Sequence, residues 1–192
     1  MTSYTDKGSQ DHASPSRAVN WYVITGAPCS GKSTVIHALA KRGFYVINEV
    51  ARAFIDRQLA GGRSLAQIKA DTLAFERHIL MEKVRIENDL PLRQVTFLDR
   101  AIPDSIAYFR LEGLNPDEPL RYSRNRRYAK IFFFERLSFE KDRVRAENQA
   151  LAIRLESLLA EAYKELGYAF VRVPVMSVVE RTEFVLRHSL IR

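Results

Sequence analysis

An α/β fold, with a parallel sheet covered by helices on both faces, is predicted by three observations. Short apolar segments at 21–25, 44–47, 94–98, 131–134 and 169–173 have the length and composition of buried strands. Segments with helical spacing of apolar residues separate them, the alternation that builds parallel sheets. The first strand also runs at once into a loop bounded by two glycines, and a helix follows immediately.

Residues 1–18 are polar, without periodicity, and read as a disordered tail; 19–192 read as one domain. The first strand is Trp21–Thr25. The first helix runs over 32–42, with Val35, Ile36, Leu39 and Ala40 on one face and Gly43 at its carboxyl end. The second strand spans 44–47, and a helix opening at 48–52 reaches Ala60 before Gly61 and Gly62. Ser64 and Gln67 form a capping box for one long helix over 64–88, striped by Leu65, Ile68, Phe75, Ile79 and Ile86. After the strand at 94–98 and Asp99-Arg100, Pro103 falls in the first turn of a helix to Leu111. Residues 113–119 read as a loop and 121–127 as a short basic helix. Residues 137–145 are a charged excursion after the strand at 131–134. A helix over 147–166 carries Leu151, Leu155, Leu158, Ala162 and Leu166, and Gly167 ends it. Pro174 closes the last strand, and Ser177 with Glu180 caps a final helix to His188.

The loop Gly26-Ala27-Pro28-Cys29-Ser30-Gly31-Lys32-Ser33-Thr34 fits G-x-x-x-x-G-K-[ST] in the strand–loop–helix setting that gives this motif its meaning. Its glycines let the backbone turn, and its amides and the helix N-terminus converge on an anion. Lys32, expected to face solvent, adds a point charge for the β- and γ-phosphates of a nucleoside triphosphate, and the Ser33 hydroxyl can ligate Mg²⁺.

Ligands of open α/β sheets bind outside the carboxyl ends of the strands, so the residues there are the ones to inspect. Asp99 is a candidate Mg²⁺ carboxylate. Glu49 is a candidate base for a hydroxyl attacking the γ-phosphate. Arg52, one turn on, and Arg100 are candidates for holding that acceptor. Arg143 and Arg145 are candidate catalytic cations that close over the triphosphate from a lid around 136–147. A second basic cluster, Arg121, Arg124, Arg126, Arg127 and Lys130 with Tyr122 and Tyr128 interleaved, fits either a solvated face or a nucleic-acid contact.

The net charge of +7 suits phosphate-rich ligands, nucleic acid or an anionic surface. No apolar run approaches 18 residues, so no membrane span is expected. A single cysteine, Cys29, cannot form an internal disulfide, and a reducing cytoplasm is the expected setting. Four histidines and one cysteine offer no metal-ligand spacing, and His37 and His78 receive no role.

At V-I-T-G-A-P-C-S-G-K-S-T, N-E-V-A-R (48–52), F-L-D-R (97–100) with I-P-D following, D-R-V-R-A-E (142–147) and G-Y-A-F-V-R-V-P-V (167–175), the sequence resembles the P-loop kinase group of NTPases. Within it, the chain resembles the small predicted ATPases of the AAA_28 type over about residues 20–190. It lacks the arginine-finger and hexamer features of AAA+ motors. The layout is similar to deoxynucleoside kinases and nicotinamide-riboside kinases, where a Glu after the second strand serves as base and a D/E-R pair follows the third. Glu49, Asp99 and Arg100 match by position. The resemblance implies a three-layer P-loop NTPase fold with a five-stranded parallel sheet of order 2-3-1-4-5. It also implies a lid carrying Arg143 and Arg145, and adenine near Pro174.

Two functions of different class follow. One is a Mg²⁺-dependent kinase that moves the γ-phosphate of ATP to a hydroxyl of a small-molecule acceptor near Glu49, Arg52 and Arg100. The other is an NTP-hydrolysing regulator acting through a protein or RNA partner. The absence of an N/T-K-x-D guanine-reading motif weakens a GTPase of the switch type. A polynucleotide kinase is a third reading, tied to the basic cluster.

Overall fold

The computed structural model describes residues 17–137 and 144–189. The expected tail lies outside the described residues as far as residue 16. Its last two residues do not belong to it: Arg17–Ala18 form strand β1, which pairs in parallel with β5 (Arg126–Arg127).

The main sheet has five parallel strands: β2 (Trp21–Thr25), β3 (Tyr45–Ile47), β4 (Thr96–Asp99), β6 (Lys130–Phe134) and β7 (Phe170–Val173). Their spatial order is β3-β4-β2-β6-β7, the 2-3-1-4-5 arrangement of the five core strands. β2 and β4 are buried along their whole length, which is why they read as unbroken apolar runs. Side chains still alternate between faces. Tyr22 and Ile24 pack with Val35, Ile36 and Leu39 of α1 (Lys32–Lys41) and Val185 of α8 (Val178–His188). Trp21 and Val23 face the other way, towards Tyr163 of α7 (Val144–Glu165). On that second side α7 also packs against α5 (Ile102–Leu111), with Leu155 and Leu159 beside Phe133 and Ala107.

Several boundaries depart from expectation. The single helix expected over 64–88 is two, α3 (Leu65–Ile68) and α4 (Thr72–Asp89). The Ser64–Gln67 capping box forms, but Asp71 competes by accepting a hydrogen bond from the Ala74 amide at 2.8 Å, which starts a second helix. The basic helix expected over 121–127 is α6 (Asp117–Ser123), shifted into the expected loop, with Arg126 and Arg127 extended in β5. α7 opens at Val144 rather than at 147. The last strand of the expected five and the cap at Ser177 and Glu180 are where the sequence puts them, and α2 (Val50–Ala60) follows β3.

Register positions the site. Ile47 pairs with Leu98. Two residues further along parallel strands, Glu49 stands beside Arg100. Ile24 pairs with Asp99, which brings that carboxylate alongside the start of the glycine loop. Thr25 pairs with Phe133, so Gly26 meets Phe134.

Candidate active site

Gly26 is there because nothing larger fits: its φ is +136°, and a Cβ would stand 2.5 Å from the Phe134 carbonyl oxygen. Gly31, at φ +80°, caps α1 in the left-handed conformation. Cys29 (φ 59°) and Arg100 (φ 69°) hold the same conformation without being glycine, and both line the cavity at this end of the sheet.

Lys32 does not face solvent as expected. It is only 5% exposed, folded under its own loop, and its Nζ donates to the Ala27 carbonyl at 2.8 Å and to Ser30 Oγ at 3.1 Å. Burial, with repulsion from Arg100, pulls its pKa down to about 7.

Ser33 Oγ donates to Asp99 Oδ2 at 2.8 Å. Asp99 is 2% exposed, and its Oδ1 has no hydrogen-bond partner among the described residues. Burial and the nearby Glu49 push its carboxyl pKa up, against the Ser33 hydrogen bond. A buried, unpartnered carboxylate oxygen beside a serine hydroxyl is an oxygen donor set suited to a hard divalent cation. Among the described residues there is no cluster of three or more His, Cys, Asp or Glu side chains that could hold a metal by themselves.

Glu49 is the residue before α2. Its Oε1 accepts from Arg100 Nε at 3.0 Å. Burial pushes its carboxyl up, but the Arg100 charge and hydrogen bond overcome this and hold it below the usual carboxylate range. Arg100 donates again to Asp104 Oδ1 at 3.2 Å and lies over the Tyr108 ring. Asp104 is fully buried and fully used. It also accepts from Thr25 Oγ1, from the Ala101 amide and from the Tyr163 hydroxyl. This network holds the left-handed Arg100 backbone and aims its guanidinium at Glu49.

Glu49, Arg52, Arg100 and the loop from Pro28 to Thr34 all line one cavity of 1310 Å³. It runs from the glycine loop past α2 to α4, and is closed on another side by α5 and α7. Arg136 lines it too, with its Nε donating to Glu156 at 3.0 Å. Gly26 and Ala27 lie at the base of the loop. Pro174 stands apart from this cavity, where its carbonyl accepts from Arg181. Arg143 and the side chain of Arg145 lie outside the described residues, as does the middle of the expected lid.

A family model described as an AAA domain matches residues 21–181. The chain belongs to that AAA domain family, of the AAA_28 type. No curated protein matches it in sequence. Among solved structures it is similar to a NadR protein in complex with NR, at TM-score 0.66 and 15% identity over 93% of this chain. The chain spans 52% of that NadR protein, about half its length. It is also similar to thymidylate kinase from Ehrlichia chaffeensis (TM-score 0.61, 13% identity, 88% of this chain and 97% of that one). Deoxyadenosine kinase from M. mycoides aligns at TM-score 0.58 and 16% identity, over 87% of this chain and 96% of that one. The AAA-domain chain therefore has a P-loop kinase fold.

Within this AAA domain, sequence reasoning passed over three residues. Asp104 carries a faint signal, four residues after Arg100 at the start of a helix. Lys83 lies on the buried side of α4, donates to Ser105 Oγ at 3.0 Å and lines the cavity; burial lowers its pKa. Arg181, 2% exposed, donates to the carbonyls of Pro174 (2.8 Å), Glu135 (3.3 Å) and Ser30, and so ties α8 to two strand ends and to the glycine loop. Nothing in its sequence neighbourhood announces that role. Of the basic cluster, Arg127 donates to the Leu166 and Gly167 carbonyls and Lys130 to that of His188, so two of its cations serve helix carboxyl ends.

Proposed function

We propose that the chain is a Mg²⁺-dependent small-molecule kinase that transfers the γ-phosphate of ATP to a hydroxyl of an acceptor. The observation that carries this reading is the extent of the cavity. At 1310 Å³ it is larger than the roughly 300–1,000 Å³ of a typical single-ligand site, and it continues from the glycine loop past Glu49 to α4. A hydrolase needs room for a nucleotide and a water. A kinase needs room for an acceptor as well, and the wall of this cavity includes a carboxylate, Glu49, paired with Arg100.

The loop amides from Ala27 to Ser33 and the start of α1 bind the phosphates, and Lys32 adds its charge. Ser33 and Asp99 would hold Mg²⁺, which would supply charge to offset that of the phosphate oxygens. Glu49, a carboxylate at neutral pH that the Arg100 guanidinium holds in place, accepts the proton of the acceptor hydroxyl. Arg100 is a positioning residue: its guanidinium is spent on Glu49 and Asp104, and it sets where the Glu49 carboxylate stands. Arg52 at the rim contacts the acceptor, and Arg143 and Arg145 close over the triphosphate. Pro174 borders the adenine. The use of Arg127 and Lys130 at helix ends weighs against a nucleic-acid acceptor.

The test is transfer of labelled γ-phosphate from ATP·Mg²⁺ to a metabolite panel, with Lys32→Ala as control. Transfer to one hydroxyl compound, lost in a folded Lys32→Ala protein, supports the reading. Release of inorganic phosphate only, at a rate no acceptor changes, contradicts it.

A further inference from the structure

The far end of the cavity has a feature that phosphate transfer does not use. On α4, Glu76, Ile79 and Lys83 recur at helical spacing on one face, and all three line the cavity. Apolar Ile79 is expected on a buried face; the two charged residues are not. Lys83 has its partner in Ser105. Glu76 is 8% exposed, and among the described residues its carboxylate has neither a hydrogen bond nor an ion pair.

The hydrogen bonds order the groups along α4. Lys83 donates to Ser105, the residue after the Asp104 that holds Arg100, and so stands at the Glu49–Arg100 end of the helix. Glu76 lies seven residues earlier, about 10 Å along the same helix, and Lys69, Phe75 and Glu112 also line the cavity.

We propose that Glu76 is the specificity residue of the acceptor site, and that it receives an N–H or ammonium group at the end of the acceptor opposite the hydroxyl that Glu49 activates. The acceptor is thus a hydroxyl compound bearing a nitrogen donor. This rests on the kinase reading above. Glu76 is largely buried and its carboxylate opens on the cavity without a protein partner among the described residues; a ligand that donates to such a group gains a charge-assisted hydrogen bond that an analogue lacking the donor cannot make. Lys83, two turns along α4 from Glu76, donates to the body of the acceptor.

The experiment uses the full chain with a non-hydrolysable ATP analogue and Mg²⁺ for binding, and labelled ATP for transfer. The probes are matched: adenosine against purine riboside without the exocyclic amine, and ethanolamine against ethylene glycol. The two scaffolds separate a nucleoside source of the nitrogen donor from an amino alcohol. The expected result is that an amine-bearing member stabilises the protein and accepts phosphate, and its matched analogue is poorer by about tenfold or more. Glu76→Gln should raise the KM for the preferred probe by about tenfold while kcat and nucleotide affinity stay within about threefold. Glu76→Asp, which keeps the charge, should recover part of that loss and guards against a folding defect, checked by thermal melting. Equal use of the matched pairs, or no response to any probe, overturns the proposal. If nucleotide binding and phosphate transfer to some other hydroxyl persist in those cases, the kinase reading stands; if ATP is not bound, that reading fails first.

Discussion

At the scale of single residues, Lys32 has the most direct chemical consequence. Its pKa is drawn down to about 7 by burial and by Arg100, so at pH 8 it is largely neutral before the phosphates arrive. Bound triphosphate restores the charge. Calorimetric titration of a non-hydrolysable ATP analogue in buffers of different ionisation heat should therefore register uptake of about one proton per nucleotide at pH 8, and much less at pH 6. Buffer-independent heats at pH 8 would contradict a neutral Lys32. The same shift has a sign for stability. Between pH 7 and 10.5 the unfolded chain binds the proton and the folded one does not, so this residue's contribution to stability rises with pH across that window. Asp99 offers a second test. Asp99→Asn should weaken Mg²⁺-dependent nucleotide binding by at least about tenfold and metal-free binding far less. Equal losses would make Asp99 structural. At this scale the sequence was legible where a motif carries its own chemistry: it names Lys32, Ser33, Asp99 and Glu49, and the fold gathers all four at one end of the sheet. The burial of Lys32 was not, because it depends on a fold-back onto Ala27 and Ser30 that no side-chain pattern encodes.

At the scale of elements, α8 and the α3–α4 break carry the argument. Arg181 links α8 to the carbonyls of Ser30, Glu135 and Pro174, three segments far apart in sequence. Removing a buried charged donor from such acceptors costs about 2–4 kcal/mol. Arg181→Ala should thus lower Tm by several degrees, roughly 2–4 °C per kcal/mol. It should also weaken nucleotide binding, since the Ser30 carbonyl belongs to the glycine loop. A variant that melts like the parent and binds nucleotide normally would show the clamp to be inert. Asp71→Ala should cost about 1 kcal/mol through the lost cap of α4, read by denaturant midpoint at unchanged slope. The hydrophobic stripe across 64–88 pointed to one helix because its spacing survives the break. The capping carboxylate of Asp71 decides locally what the periodicity cannot. Arg181 was invisible for the opposite reason: its partners are backbone atoms brought together only by the completed sheet.

For the whole molecule, the strand order was accessible through the glycine loop and the residues that resemble P-loop kinases, and the register then did the rest. Parallel pairing of Ile47 with Leu98 and of Ile24 with Asp99 gathers Glu49, Arg100, Asp99 and the loop at one end of the sheet. That the helix over 64–88 borders an acceptor pocket is an expectation the sequence supports, but which of its side chains line the cavity, Glu76 and Lys83, stayed hidden, because they lie on a buried face whose partners are on other elements. The account's central claim is that one end of the cavity binds triphosphate while Glu49 serves the acceptor in the other. The most direct test is Glu49→Gln, with nucleotide affinity and single-turnover transfer of labelled γ-phosphate to the best acceptor measured on the same protein. Transfer should fall by about 10²–10⁴-fold, the usual worth of a general base, while ATP affinity stays within about threefold. Loss of affinity in step with transfer, or transfer at the parental rate, would contradict the claim.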